Sequence, residues 1–183
     1  MITEKEAVRI SKFLSLVLRH QPETINLVLD ENGWADIDLL IEKCNEKGVA
    51  LNRDILEYIV ATNTKKRFSF NEPKDKIRAN QGHSIDVDLA LSAQVPPEIL
   101  YHGTAERFVA PIKEQGLLKQ QRQHVHLSQE QPTAVQVGQR HGKPVVLSVL
   151  AGQMHLDGFV FYLSDNGVWL TDHVPAKYLS FNL

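Results

Sequence analysis

The stretch "QRQHVHLSQE", residues 121–130, sets two imidazoles one residue apart, His124 and His126, behind Arg122 and ahead of Leu127 and Ser128. On a strand, alternate residues share a face, so the two rings would point the same way. Paired imidazoles can ligate a metal, move a proton or help to hold an anion. Zinc wants a third ligand that the neighbouring sequence does not offer, and Arg122 beside the pair repels a cation. An arginine and an imidazole both donate to phosphate oxygens, so an anion suits the segment better. The plain alternative is a polar strand face turned to solvent.

Three further segments carry candidate chemistry. "LRHQP" puts Arg19 and His20 at the end of the first expected helix. A helix C-terminus carries partial negative charge, which favours cations and disfavours a bound anion. Dipole complementation is the ordinary use of such residues, and any phosphate held there must be held by the side chains. "KKRFSF" and "IRANQGHS" supply Arg67 and Arg78, with Gln81 and His83 close behind. The octet has neither helical nor strand periodicity, yet it holds five polar side chains and a glycine, and substrate contact and a purely structural loop are balanced readings. "YHGT", residues 101–104, closes a short apolar run. Gly103 there is expected to let the backbone approach a ligand closely, and Thr104 to cap a following helix. Taken alone, the same residues more commonly make a plain turn.

The elements that must position these side chains follow from periodicity and caps. Thr3 and Glu6 form a capping box, and Ala7, Ile10, Leu14, Val17 and Leu18 recur at helical spacing until Pro22 disfavours helix at Gln21. "LVLDENGWADI" predicts a short extended piece, a turn at Asn32-Gly33 and a cap at Asp36. "DLLIEKCNEKG" predicts a second helix ending at Gly48, and Asn52 caps a third, "RDILEYIVATN". "KRFSF" alternates like a strand, and "NEPKDKIRA" turns and returns as its partner. Three helices and a hairpin over residues 1–80 is the order of a winged helix. Residues 81–98, with a double proline, read as a connection. From 99 to 183 short strands ("ILYHG", "HVHLS", "PVVLSVL", "FVFYLS", "GVWLT") are broken by helical pieces at "TAERFVAPIKEQG" and "PTAVQVGQRHG". The fold class expected is α+β.

Composition sets limits. The 183 residues are 43% hydrophobic and 23% charged, an ordinary globular balance. The net charge of −2 argues against sequence-independent binding of nucleic acid by a basic surface, but it leaves room for a local cationic pocket. No run approaches the roughly 20 apolar residues of a spanning helix. Charges occupy the N-terminal segment where a signal peptide would be apolar. Cys44 is the single cysteine, so no internal disulfide and no cysteine-rich zinc site can form. A cytoplasmic monomer is expected.

"RHQP", "KRF", "IRANQGHS", "YHGT", "HVHLS" and "NGVWLT" occur in that order along nearly the whole chain. This set resembles the NAD-dependent RNA 2′-phosphotransferases, the KptA-like family. The resemblance implies a winged-helix lobe followed by an ADP-ribosyltransferase-like lobe, with NAD and RNA meeting in the cleft between them. It implies removal of an internal RNA 2′-phosphate, as on a spliced tRNA. The phosphate attacks the anomeric carbon of the nicotinamide ribose and nicotinamide leaves. The neighbouring 2″-hydroxyl then attacks phosphorus, releasing RNA 2′-OH and ADP-ribose 1″,2″-cyclic phosphate. By motif, the catalytic residues fall on Arg19, His20, Arg67 and Arg122. The NAD contacts fall on His102, Gly103, Thr104 and Ser128, and further substrate contacts on Arg78, Gln81 and His83.

Many protein-modifying transferases of this fold use a late glutamate to activate the nucleophile, and "NGVWLT" has none. A phosphate monoester has a second pKa of about 6 and is already a nucleophilic dianion at neutral pH. Phosphoryl transfer asks chiefly for fixed cations and alignment, which arginines supply without a metal. Two other readings compete. An ADP-ribosyltransferase for another nucleic-acid phosphate or a protein would stop after one step. A non-catalytic winged-helix nucleic-acid-binding regulator would want a basic recognition helix, whereas "RDILEYIV" is nearly neutral and apolar.

Overall fold

The structure is a computed structural model and describes residues 2–181. The chain forms a mixed α/β architecture with several small antiparallel sheets, in two compact units divided between Ala90 and Leu91.

The first unit is assembled from α1 (Glu4–Arg19), β1 (Ala35–Asp36), α2 (Ile37–Glu46), α3 (Arg53–Thr62), β2 (Phe68–Phe70) and β3 (Lys76–Ala79). Each helix begins where a side chain can satisfy an orphan N–H. Thr3 and Glu6 close the reciprocal box, Asp36 accepts from the Leu39 N–H, and Asn52 accepts from the Ile55 N–H. Such caps contribute about 1 kcal/mol apiece. After α2, Gly48 takes a φ of 75°, the left-handed turn that favours glycine. The hairpin β2–β3 is antiparallel, with Ser69 opposite Arg78, and β1 adds to its far side in the order β1-β3-β2. Leu14, Val17 and Leu18 of α1 join Leu40, Leu56 and Ile77 in one apolar core. Cys44 lies in that core, where burial pushes its thiol up to about 11.

The second unit has β4 (Leu100–Ala105), α4 (Val109–Gln115), β5 (Leu117–Leu118), β6 (Val125–Leu127), α5 (Gln131–Gln139), β7 (Pro144–Val149), α6 (Ala151–Leu156), β8 (Phe161–Leu163), β9 (Trp169–Thr171), β10 (His173–Val174) and β11 (Leu179–Phe181). Two three-stranded sheets, β11-β7-β4 and β6-β9-β8, meet where Tyr101 and Ser128 exchange backbone hydrogen bonds of 2.8 Å. A small pair, β10-β5, forms a separate sheet.

Two expectations for "YHGT" are corrected here. Thr104 caps no helix. It lies within β4, opposite Val145, and a 3-10 turn at Glu106–Phe108 with no side-chain cap separates it from α4. The pairing with β7 continues through Ala105, so the strand outruns the glycine that suggested a turn. Gly103 does permit a close approach, but the approaching group is α5. A Cβ at Gly103 would stand 1.7 Å from the Ala134 carbonyl oxygen, and one at Gly138 would stand 2.5 Å from the Thr104 carbonyl oxygen. The two glycines let α5 lie directly on β4.

Among the described residues no helix is long and apolar enough to cross a membrane. Gly103→Ala must drive α5 off β4 and is expected to destabilise the protein by about 3 kcal/mol or more. Urea unfolding checks this, and an unchanged midpoint would contradict the helix-on-strand contact.

Candidate active site

In the first unit the octet "IRANQGHS" is the organising segment. It leaves β3 and runs past the end of α1. The Ser84 N–H donates to the Arg19 carbonyl at 2.9 Å, and the Ser84 hydroxyl lies 2.8 Å from His20 Nδ1. His20 is the C-cap of α1, so one serine both serves an orphan helix carbonyl and orients the imidazole beside it. Four residues earlier, the Asn80 N–H donates to the Arg67 carbonyl at 2.9 Å, and Asn80 Nδ2 donates to the Lys66 carbonyl at 2.6 Å. Lys66 has a φ of 42°, an uncommon conformation for a lysine, and the Asn80 bond holds it there. The octet therefore tethers Arg19, His20 and Arg67 by their main chains or rings.

The expected substrate contacts in this segment take different places. Arg78 is only 9% exposed and donates from Nη1 to the Leu89 carbonyl at 3.2 Å, while its guanidinium lies 4.5 Å over the Trp34 ring. It works inside the unit, stapling residues 87–90 to the sheet. Gln81 is half-buried in the same loop. His83 is 1% exposed, and among the described residues neither ring nitrogen has a hydrogen-bond partner. Burial first, then the charges of Arg19, His20 and Arg78, push its pKa down to about 4. A neutral ring is thus buried within the field of Arg19 and Arg78.

In the second unit the end of β6 abuts the start of β4, so "HVHLS" and "YHGT" come together. His102 Nδ1 lies 3.0 Å from the His126 carbonyl. A carbonyl only accepts, so that nitrogen bears the hydrogen and Nε2 is left as an acceptor. Burial chiefly, with help from the Arg122 charge, lowers the His102 pKa against the opposing His126 carbonyl. Arg122 Nη1 donates to His126 Nδ1 at 3.0 Å, which puts the His126 hydrogen on Nε2. Burial and the nearby Arg140, the C-cap of α5, draw the Arg122 guanidinium below its ordinary value, so two like charges share this corner. Thr104 is buried, and Ser128 is tied through its backbone to Tyr101.

His124 diverges from His126. It lies just before β6, edge-on to Tyr162 at 5.7 Å, lining a cavity of about 350 Å³ with Phe159, Asp172 and His173. Among the described residues no group of His, Cys, Asp and Glu side chains is placed to hold a metal ion.

Three neighbours of the candidate residues escaped the sequence. Ser84 and Asn80 are ordinary residues whose partners lie 64 and 14 positions away. Arg140 sits in "GQRHG", a segment that reads only as a helix end. The odd composition of the octet was the one available signal.

Residues 5–173 match the model of the RNA 2′-phosphotransferase, Tpt1 / KptA family. The chain belongs to that family. Over 98% of this chain and 99% of its own length, a probable RNA 2′-phosphotransferase of Flavobacterium johnsoniae is 58% identical. Proteins of the same description from Trichormus variabilis and Rhodopirellula baltica are 56% and 52% identical over 94% and 99% of this chain, and over 94% and 99% of their own lengths.

His83 carries a pH prediction. Its folded pKa of about 4 lies below the ordinary 6.5, so between those values the unfolded chain binds a proton that the folded chain refuses. Stability is full above about pH 6.5 and falls as the pH drops toward 4, by up to about 3 kcal/mol. His83→Leu or His83→Phe should flatten that decline in urea-unfolding titrations. A decline parallel to the wild type would remove His83 as its source.

Proposed function

We propose that this chain removes an internal 2′-phosphate from RNA, as on a spliced tRNA, and passes it to NAD, acting as a cytoplasmic monomer. The observation that carries the reading is that the family-related residues sit in built polar settings. Arg19, His20 and Arg67 are tethered by one loop, and Arg122 is locked to His126 beside Arg140. The α1-β1-α2-α3-β2-β3 order and the sheet order β1-β3-β2 support a winged helix for the first unit. Two antiparallel sheets joined at Tyr101–Ser128 support the ADP-ribosyltransferase-like reading of the second.

The residues present fit NAD. When bound, it supplies the ribose that receives the phosphate. His102, neutral with Nε2 as a fixed acceptor, suits a ribose hydroxyl, and Arg122 with Arg140 suits an anionic phosphate. Gly103 and Thr104 hold His102 in register by packing on α5 and β7. A 2′-phosphate dianion needs no base to act as nucleophile, so the first step asks the protein only to align it. The guanidinium groups of Arg19 and Arg67 suit its oxygens, with charges that do not titrate at neutral pH. The second step spreads negative charge over the phosphorus oxygens, and the same guanidinium groups neutralise it. The Ser84 hydroxyl fixes the His20 ring, so that His20 Nε2 can exchange a proton with the departing RNA oxygen. Arg78 and His83 act from beneath, and Gln81 faces the substrate.

Incubation with a short 2′-phosphorylated RNA should yield RNA 2′-OH, nicotinamide and the cyclic phosphate only when NAD is present. Nicotinamide release without the cyclic phosphate would point instead to a one-step ADP-ribosyltransferase. Arg19→Ala or Arg122→Ala should slow the second step more than the first and accumulate ADP-ribosylated RNA 2′-phosphate, and full turnover in both would sink the assignment. His102→Ala should chiefly raise the KM for NAD. Ser84→Ala should lower kcat by ~10-fold or more with little change in KM, and Ser84→Thr should restore it. Equal loss in both serine variants would speak against hydroxyl positioning.

A further inference from the structure

The outward face of α1 from Lys5 to Lys12 belongs to neither the core nor the site, and only its last member, Arg19, enters the site. Lys5, Arg9, Lys12 and Arg19 follow at spacings of four, three and seven, which at about 100° per residue keeps them on one stripe. Lys5, Arg9 and Lys12 are exposed, and the stripe lies opposite the buried Ile10, Leu14 and Val17. The only acidic residues of the helix, Glu4 and Glu6, stand about 100° to either side of the stripe, and Glu6 is taken up by the Thr3 cap. Solvated helix faces ordinarily mix the two signs. In a chain with 22 acidic and 20 basic residues, a face of one sign is a local concentration rather than a general excess.

A second basic run lies in the turn before β2. The turn at 63–67 carries Lys65, Lys66 and Arg67, and Asn63 at its start donates to Ser11 of α1 at 3.3 Å. By contrast, α3, the helix that a helix-turn-helix would use for recognition, exposes Asp54, Glu57 and Tyr58. Its Arg53 is engaged by Asp38 and the Lys74 carbonyl.

We propose that the outward stripe of α1, Lys5, Arg9 and Lys12, is a track for the phosphodiester backbone of the RNA strand that bears the 2′-phosphate. The track rests on the reading of RNA as the substrate. It runs about 21 Å from Lys5 to Arg19, so successive phosphates lie along the helix while the reacting nucleotide reaches Arg19 and His20. Lysine and arginine contacts to phosphates give affinity without sequence preference, which suits an enzyme that reads a modification.

The test compares the wild type with K5E/R9E/K12E, using fluorescence anisotropy with two labelled RNAs. One is long enough to run the length of α1, and the other is a 2′-phosphorylated dinucleotide. The triple variant should bind the long RNA ~10-fold or more weakly, and its salt slope should fall by about 2. The dinucleotide should be bound and turned over as by the wild type. K47E/K74E, on exposed positions elsewhere in the unit, should change neither. Unchanged affinity of the triple variant for long RNA overturns the proposal, as does an equal loss in K47E/K74E or on the dinucleotide. A wild type that binds long RNA through α1 yet leaves the 2′-phosphate in place with NAD would overturn the functional reading and leave the track standing.

Discussion

The end of α1 presents carbonyls that no turn of its own helix can satisfy, and the first unit is organised around one of them. The Ser84 N–H takes the Arg19 carbonyl, and this single bond decides where the chain leaving β3 must pass. Once it passes there, the serine hydroxyl reaches His20 and Asn80 reaches the main chain of Lys66 and Arg67. Side chains of like charge would otherwise drift apart. Here the main chains of Arg19 and Arg67 are both fixed by the one loop.

The second unit solves the same problem with hydrogens. His126 stands between two partners of opposite demand. Its ring accepts from Arg122 while its carbonyl accepts from His102. The two histidines therefore hold opposite tautomers, one offering a donor and the other an acceptor. Neither ring needs to be charged, so neither adds to the repulsion between Arg122 and Arg140.

Much of the first unit was legible in the sequence because its signals are local. Thr3, Asp36 and Asn52 cap the helices as their types predict, and "KRFSF" pairs with the strand that returns from the turn. The second unit was less so. Strands of two or three residues such as β5, β10 and β11 carry no period, and α6 is less than two turns long. Gly103 and Thr104 were legible as special, but the cap expected of Thr104 was not formed and the close approach of α5 to Gly103 shows only in the packed structure. The candidate site residues were proposed from their motifs. Ser84, Asn80 and Arg140 could not be, because nothing near them in the chain marks their partners.

Cys44 has a consequence for the laboratory. The sole thiol is buried in the first core and held firmly protonated, so alkylating reagents and mild oxidants have no sulfur to attack while the protein is folded. The folded chain behaves toward such reagents as though it were cysteine-free. A cysteine introduced at a chosen surface position would take a fluorophore or spin label alone, without the background of a native reactive group. Modification of Cys44 itself would report only on molecules whose first core has opened, giving a chemical clock for local unfolding.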